Sequence, residues 1–153
     1  MSESDGPYLR MAVLCERVLQ ERDSVPSLIR VVDRVLVLGP LAVGGTAPAT
    51  GAVPPPPPVS LTLALMFKAG KARGEHKLVV RLRNPDGTSS PDQVATVNFQ
   101  GDDTSGANVF IPTLIATSDG GVYWFEISLE GVPMAEVPLT ISRAEFPAVT
   151  PQP

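Results

Sequence analysis

The chain has 153 residues, which fits one domain with a core large enough to fold without disulfides. Hydrophobic residues make up 43% and charged residues 18%, so the chain is not disordered overall, and the net charge of −4 argues against nucleic acid as the main partner. The single cysteine excludes an intrachain disulfide.

The N-terminal residues predict a location rather than a structure. Residues 1–7 are polar and acidic, and they lack the basic start and apolar run of a signal peptide. No stretch approaches the length of a membrane helix. Together with the lone Cys15, this predicts a cytoplasmic protein with no membrane span, and the bias toward Val, Ala, Pro, Gly and Arg indicates a bacterial source. We expect one domain over residues 8–146, between tails at 1–7 and 147–153.

Residues 8–37 are the ambiguous part of the chain. Val13 and Cys15 fit a strand, whereas the apolar positions of residues 24–37 fit either a strand or a helix that starts near Ser24 and Pro26. The high content of β-branched residues favours strands.

Residues 39–60 form a low-complexity loop rich in Pro, Gly and Ala, and its polyproline run consists of Pro54, Pro55, Pro56, Pro57 and Pro58. Such a run adopts polyproline II. Two interpretations are open: the run is a ligand for the aromatic groove of a partner domain, or it is a stiff loop between two sheets. The stiff loop is favoured.

Period-two alternation of apolar residues dominates the rest of the chain. It covers residues 61–67, 78–83, 95–99, 109–114 and 123–129, with Gly, Pro and Asp between the segments, as in the turn at 84–87. After Glu130 and Gly131 make a turn, residues 137–141 resume the alternation. Pro133 and Pro138 predict that this last strand lies at a sheet edge. The pattern predicts an all-β, antiparallel two-sheet sandwich of immunoglobulin-like type, with about seven or eight strands and the Pro-rich loop as an insertion.

Several short motifs follow one another along the chain. Cys15 and Glu16 form a pair, a Ser-Leu-Ile stretch lies at 27–29, a Pro-Asp-Gly turn lies at 85–87, and an aromatic strand, turn and Pro-Leu hairpin lie at 124–141. With these motifs the chain resembles a family of small uncharacterised bacterial β-rich proteins over most of its length outside the Pro-rich loop. The resemblance implies an immunoglobulin-like domain with no known activity, and it favours strands in the N-terminal third.

Basic residues concentrate between positions 68 and 83, and the strand pattern places Lys77, Arg81 and Arg83 on one outward face. Three roles are open for these residues: pairing with acidic residues of the same molecule, head-to-tail self-association, and binding of an anionic ligand. Trp124, which points opposite to its buried neighbours, is half exposed. Either the Pro-rich loop covers it or it contacts a partner.

Residues for catalysis are sparse. Cys15 and His76 make a nucleophile–base pair only if their strands are adjacent, and zinc has too few ligands. The loops at 101–106 and 118–121 hold a calcium-type site only if they meet at one end of the sandwich. Glu126 and Glu136 face each other across two strands, and solvated carboxylates explain them more simply than glycoside chemistry does.

The sequence therefore predicts a non-catalytic binding or assembly module of a bacterial complex. It needs no metal and no cofactor, and it acts through an outer sheet face and loops on a protein partner or a second copy. The alternatives are a calcium-dependent enzyme or binding protein, and a ligand for a proline-recognising partner. The predicted contact residues are Trp124, Lys77, Arg81, Arg83 and the prolines of the run at 54–58.

Overall fold

The computed structural model describes residues 5–38 and 56–144, and these form nine strands without a helix. The strands are β1 (Tyr8–Gln20), β2 (Pro26–Val32), β3 (Arg34–Leu38), β4 (Val59–Lys68), β5 (Gly74–Arg83), β6 (Gln93–Phe99), β7 (Gly106–Ile115), β8 (Gly121–Leu129) and β9 (Val132–Ala144). A four-stranded sheet has the order β2-β1-β4-β7, and a five-stranded sheet has the order β3-β9-β8-β5-β6. The predicted all-β, two-sheet sandwich is confirmed.

The core lies between the two sheets, where the alternating apolar residues of each strand point inward. Fully burying one large apolar side chain contributes about 1.5–3 kcal/mol, so the facing rows account for much of the stability. The rows deepest in the core include Leu63, Leu65 and Phe67 of β4, Leu78 and Val80 of β5, and Phe125, Ile127 and Leu129 of β8.

The tight turns follow the predicted chemistry. Glu130 and Gly131 both have positive φ, 49° and 77°, as a two-residue type I′ hairpin turn requires. In the turn at 84–87, the N–H of Gly87 donates to the carbonyl of Asn84 at 3.0 Å. The Asp86 carboxylate accepts from the N–H and the hydroxyl of Thr88 at 2.9 and 2.6 Å. These hydrogen bonds hold the pKa of Asp86 below its ordinary value.

The N-terminal third is made of strands, as the β-branched content predicts. The number of strands, nine, exceeds the expected seven or eight because Asp33 divides residues 24–37 into two strands. The chain leaves the four-stranded sheet after β2 and enters the five-stranded sheet as β3. The sandwich also departs from a purely antiparallel arrangement, since β3 runs parallel to β9, with Arg34 opposite Thr140 and Leu38 opposite Ala144.

The prediction that the last strand lies at an edge is wrong, because β9 lies between β8 and β3. The reason for that prediction, the missing N–H of proline, still applies to the first part of β9. β3 pairs only with residues 140–144, so Pro133 and Pro138 lie in the part of β9 that has a ladder partner on one side alone. A proline lacks the N–H that a second partner would need there.

The structure also sets the limits of the segments predicted at the ends and in the middle. The Pro-rich loop was expected to reach residue 60, but β4 already begins at Val59. Residues 39–55, 1–4 and 145–153 lie outside the described residues, so the domain limits of 8 and 146 remain a prediction. None of the described residues belongs to a helix long and apolar enough to cross a membrane.

Candidate functional site

The predicted contact residues on strands come together on the outer surface of the five-stranded sheet. Leu78 and Val80 of β5 point into the core, so Lys77, Arg81 and Arg83 point outward. On the adjacent β8, Trp124 and Glu126 also point outward, because Tyr123, Phe125 and Ile127 between and beside them are buried. We call this surface the Trp124 face.

Trp124 is half-buried at the centre of a cross-strand row. Arg83 lies opposite it on β5 and Pro138 lies opposite it on β9. The guanidinium carbon of Arg83 is 6.0 Å from the centroid of the indole ring, at the limit of a cation–π contact. A depression of about 450 Å³ opens between Trp124 and the turn that contains Pro85 and Gly87. The indole is thus flanked by a proline and an arginine and borders open space.

The basic residues of this face are paired within the molecule. Arg81 makes a two-pronged ion pair with Asp92, with nitrogen–oxygen distances of 2.8 and 3.0 Å, and these hydrogen bonds hold the pKa of Asp92 below its ordinary value. Arg83 contacts Glu126 at 3.1 Å. Exposed pairs of this kind contribute little to stability and can exchange for a partner's charges. The structure therefore shows the intramolecular pairing that the sequence offered as one alternative for these residues.

The other basic residues between 68 and 83 are engaged in the same way. The Lys68 ammonium donates to the carbonyl of Thr104 at 2.8 Å, Lys71 pairs with Asp5, and Arg73 pairs with Asp103 at 2.6 Å. This leaves Lys68 and Lys77 as the two cations of the cluster for which the described residues provide no ion pair. The cluster is consequently a weaker basis for head-to-tail electrostatic assembly than its sequence implied.

Glu126 and Glu136 are direct cross-strand neighbours on β8 and β9. They line a second depression of about 290 Å³, together with Arg81 and Ser128. Like charges placed opposite each other repel, and Arg83 relieves this repulsion by pairing with Glu126. The two depressions thus lie on the same face, with the Arg83–Glu126 pair and Trp124 near their common border.

The polyproline run is not part of this surface in the described residues. Pro56, Pro57 and Pro58 lead directly into β4 of the opposite sheet, and the carbonyl of Pro57 accepts a hydrogen bond from the buried hydroxyl of Thr117 at 3.2 Å. None of these three prolines lines either depression. Pro54 and Pro55 lie outside the described residues, so the hypothesis that the Pro-rich loop covers Trp124 remains a prediction.

The structure separates the residues considered for nucleophilic catalysis. Cys15 is fully buried on β1 of the four-stranded sheet, where its thiol lies 3.6 Å from the carbonyl of Thr62, and burial raises the pKa of this thiol. His76 lies on β5 of the other sheet and packs edge-on against Phe99 at 5.3 Å. A buried neutral thiol in a different sheet from the imidazole cannot serve as its activated nucleophile.

The two acidic loops do not meet, as the calcium-site alternative would have required. Asp102 and Asp103 precede β7 and Asp119 follows it, so the ten residues of β7 separate the two loops by about 30 Å. The oxygens of the first loop are also occupied: the Asp102 carboxylate accepts from Thr104 and Ser105, which lowers its pKa, and Asp103 pairs with Arg73. Within residues 5–38 and 56–144, no three His, Cys, Asp or Glu side chains are placed to hold a metal ion.

A second surface escaped the sequence reasoning. Most outward positions of the four-stranded sheet are apolar, although Arg17, Ser27, Ser60, Lys68 and Asn108 also point outward. We call the following residues the apolar face: Met11, Val13 and Cys15 of β1, Ile29 and Val31 of β2, Thr62, Ala64 and Met66 of β4, and Phe110, Pro112 and Leu114 of β7. The signal was present in the sequence. Apart from Thr62, residues 61–67 are apolar at both the inward and the outward positions, a pattern typical of a strand covered on both faces.

The order of the strands and one hydrogen bond define the class of protein. β4 pairs with β7 in one sheet, while β9, β8, β5 and β6 lie side by side in the other, which is the strand arrangement of an immunoglobulin-like sandwich. The hydroxyl of Tyr123, near the start of β8, donates to the carbonyl of Asp119 at 2.7 Å and lies 3.1 Å from that of Ala116. This is the tyrosine corner of such domains. The protein is therefore an immunoglobulin-like β-sandwich. It belongs to the family described as "Family of unknown function (DUF6941)", whose model matches residues 46–142.

The family match covers the C-terminal two thirds of the chain, and two solved structures are similar to it. The matched region contains the turn and hairpin motifs and part of the Pro-rich loop, whereas the Cys15–Glu16 and Ser-Leu-Ile motifs lie before it. An immunoglobulin-like protein from Pseudomonas aeruginosa is similar at a TM-score of 0.40 and 7% identity, over 93% of this chain and 100% of that chain. The alkylpurine DNA glycosylase AlkC from Pseudomonas fluorescens, bound to DNA containing an abasic site analog, is similar at a TM-score of 0.40 and 12% identity, over 87% of this chain and 30% of that chain. No curated protein sequence matches the chain.

Proposed function

We propose that this protein is a non-catalytic binding module that captures a protein partner in the cytoplasm through the Trp124 face. One observation carries the proposal: the only tryptophan of the chain points out of the sheet, half-buried, between an arginine and a proline and beside an open depression. Tryptophan and arginine are the residue types most enriched among the energetically dominant contacts of protein interfaces.

The electrostatics of the face support a protein partner over an anionic polymer. Arg81 and Arg83 are paired with Asp92 and Glu126, and Glu136 adds a further negative charge beside them. Such alternating charge matches a polypeptide that presents charges of both signs, because exposed ion pairs can be exchanged across an interface. A phosphate backbone would instead meet carboxylates next to each guanidinium.

The expected partner therefore presents an apolar side chain and at least one acidic group. The apolar side chain would fill the depression beside Trp124, and the acidic group would lie near Lys77, which has no ion pair within the described residues. Arg83 would keep its position near the indole and act as the second anchor.

Site-specific photocrosslinking tests the proposal. Val122, which points outward on β8 and lines the same depression, is replaced by p-benzoylphenylalanine, so that Trp124 itself is kept. In a matched variant the same group replaces Asn108, which points outward from β7 on the opposite sheet. Position 122 is expected to crosslink one defined protein in cells, and position 108 is expected to give at least about tenfold less of it. Equal yields from the two positions, or no defined product from position 122, would contradict the proposal.

Substitution then measures the role of the indole. Trp124→Ala is expected to abolish capture of the crosslinked protein, while Asn108→Ala on the opposite sheet leaves it unchanged, with the melting temperature of each variant as the control for folding. Deletion of residues 54–58 tests the proline-ligand alternative in the same assay. If the deletion removes capture and Trp124→Ala does not, the polyproline run is the working element and the Trp124 face is not.

A further inference from the structure

We propose that the open edge of β6 pairs with the same edge of a second copy, so that two five-stranded sheets join into one continuous antiparallel sheet. β6 is the last strand of its sheet and has a ladder partner, β5, on one side only. The unpaired N–H and C=O groups of an edge strand form a template for a further strand. This edge lies two strands away from Trp124, so the inference is independent of the function proposed above.

The neighbouring strand shows which backbone groups lie at this edge. The carbonyl of Lys77 accepts from the N–H of Glu130 at 2.8 Å, and its N–H donates to the Glu130 carboxylate, so both backbone groups of Lys77 point away from β6. Thr96 lies opposite Lys77. In an antiparallel pair, two opposite residues either bond to each other or both point away from each other. The N–H and C=O of Thr96 therefore face the open edge, and alternation along the strand places those of Val94 and Asn98 there as well.

Among the described strands, the open edge of β6 is the one without the usual protection against pairing. β7 carries Pro112, and the part of β9 beyond β3 carries Pro133 and Pro138. β2 is kinked at Arg30, where φ is 53°, and β3 has only five residues and begins with the charged Arg34. Prolines, kinks, charges and short length are the devices by which edges are kept from pairing. β6 reads Gln-Val-Ala-Thr-Val-Asn-Phe, seven residues without a charge, a proline or a glycine.

A second β6 complements this template about a two-fold axis. With Thr96 on the axis the two strands overlap over their whole length, and Val94 of one copy lies opposite Asn98 of the other. These are the residues whose backbone groups face the edge, so they form about six hydrogen bonds between the copies. The nearest carboxylate, that of Asp92, falls opposite Gln100, so the register opposes no like charges. The threonine pair at the axis is itself a favourable cross-strand pair.

Other occupants fit this edge less well. A peptide that adds to a sheet edge is recognised by pockets for its alternate side chains, yet neither depression described above is lined by a residue of β6. Within the chain itself, the sequences of residues 39–55 and 145–153 are interrupted by proline at 40, 48, 54, 55, 147, 151 and 153 and by the glycine pair at 44–45. Proline cannot donate to a ladder and glycine disfavours a strand, whereas a second β6 contains neither.

Sedimentation equilibrium of the full chain, from about 5 to about 500 µM, tests the inference with two matched variants. Thr96→Lys places an ammonium at the axis, where it meets its own copy, and Val31→Lys places one at an exposed position on β2, an edge strand of the other sheet. Thr96→Lys is expected to raise the dimer dissociation constant at least about tenfold, and Val31→Lys is expected to leave it within about twofold. Thr96→Pro, which removes an N–H that the described ladder does not use, should act like Thr96→Lys, and melting temperatures control for folding.

Crosslinking identifies the strand that occupies the edge. Because Cys15 is fully buried, Thr96→Cys supplies the accessible thiol, and a short bismaleimide is expected to join two copies through it, while Val31→Cys gives mainly monomer. Trp124→Ala should leave the dissociation constant within about twofold, so this dimer and the Trp124 face are judged separately. A chain that stays monomeric at every concentration, a dimer insensitive to both substitutions of Thr96, or equal crosslinking at positions 96 and 31 would overturn the inference.

Discussion

The hydroxyl group of Tyr123 should be a measurable determinant of stability. Its side chain is 3% exposed, and its oxygen lies 2.7 Å from the carbonyl of Asp119, which fixes the loop between β7 and β8. Tyr123→Phe removes this hydrogen bond and retains the ring, so we expect a loss of about 1.5 kcal/mol in the free energy of unfolding. For a chain of this size the melting temperature should fall by about 3–6 °C.

Urea denaturation followed by the fluorescence of the single tryptophan measures this loss. The matched control is Tyr8→Phe, because Tyr8 is the only other tyrosine and is 47% exposed. That control should change the free energy of unfolding by less than about 0.5 kcal/mol. Equal values for the two variants would refute the role assigned to the corner.

The pH dependence of the stability difference between the wild type and Tyr123→Phe gives a second test. Burial raises the pKa of Tyr123 above its ordinary value of 10.0, so the native state retains a proton that the unfolded chain releases. The stability contributed by this protonated hydroxyl is therefore complete below pH 10 and is lost as the pH rises through the native pKa. The stability difference between the wild type and Tyr123→Phe should shrink above pH 10, and a difference that stays constant would contradict the assignment.

Three further predictions concern turns and the buried thiol. Gly121→Ala should lower the free energy of unfolding by about 1–3 kcal/mol, because φ is +137° and a new Cβ would lie 2.8 Å from the Cβ of Pro85. The control Gly131→Asn, at φ +77° with open space around it, should leave the melting temperature nearly unchanged. Asp86→Asn should destabilise the protein at neutral pH. Because the native pKa of Asp86 is lowered, its contribution is complete above pH 3.8 and is lost as the pH falls through the native pKa, so the difference from the wild type should vanish there. Cys15 should react with iodoacetamide at least about 100-fold more slowly in the native than in the unfolded protein, and equal rates would contradict its burial.

The sandwich could be predicted because alternation reports directly which residues of a strand are buried. The outward direction of Arg81 and Trp124 followed from the burial of Val80 and Phe125, and the type I′ turn followed from a glycine beside Glu130. These are local properties, in which a residue and its neighbours two positions away decide the outcome.

The features that escaped prediction depend on residues far apart in the chain. Asp92 is eleven residues from Arg81, and no pattern in either segment indicates that they pair. Likewise, the position of β9 inside its sheet depends on β3, more than a hundred residues earlier. Alternation does not encode strand order, because an edge strand and a central strand of the same sheet have the same inward residues.

The parallel pairing of β3 with β9 has a consequence for how this chain is made. A protein emerges from the ribosome N-terminus first, so the segment of β3 is complete long before residues 140–144 exist. Until translation reaches them, Val35 and Val37 have no ladder partner, and the edge they occupy can pair with another nascent chain. Pairing of β3 therefore waits until residues 140–144 have been synthesised, and a chain terminated before Thr140 would leave β3 without its ladder partner.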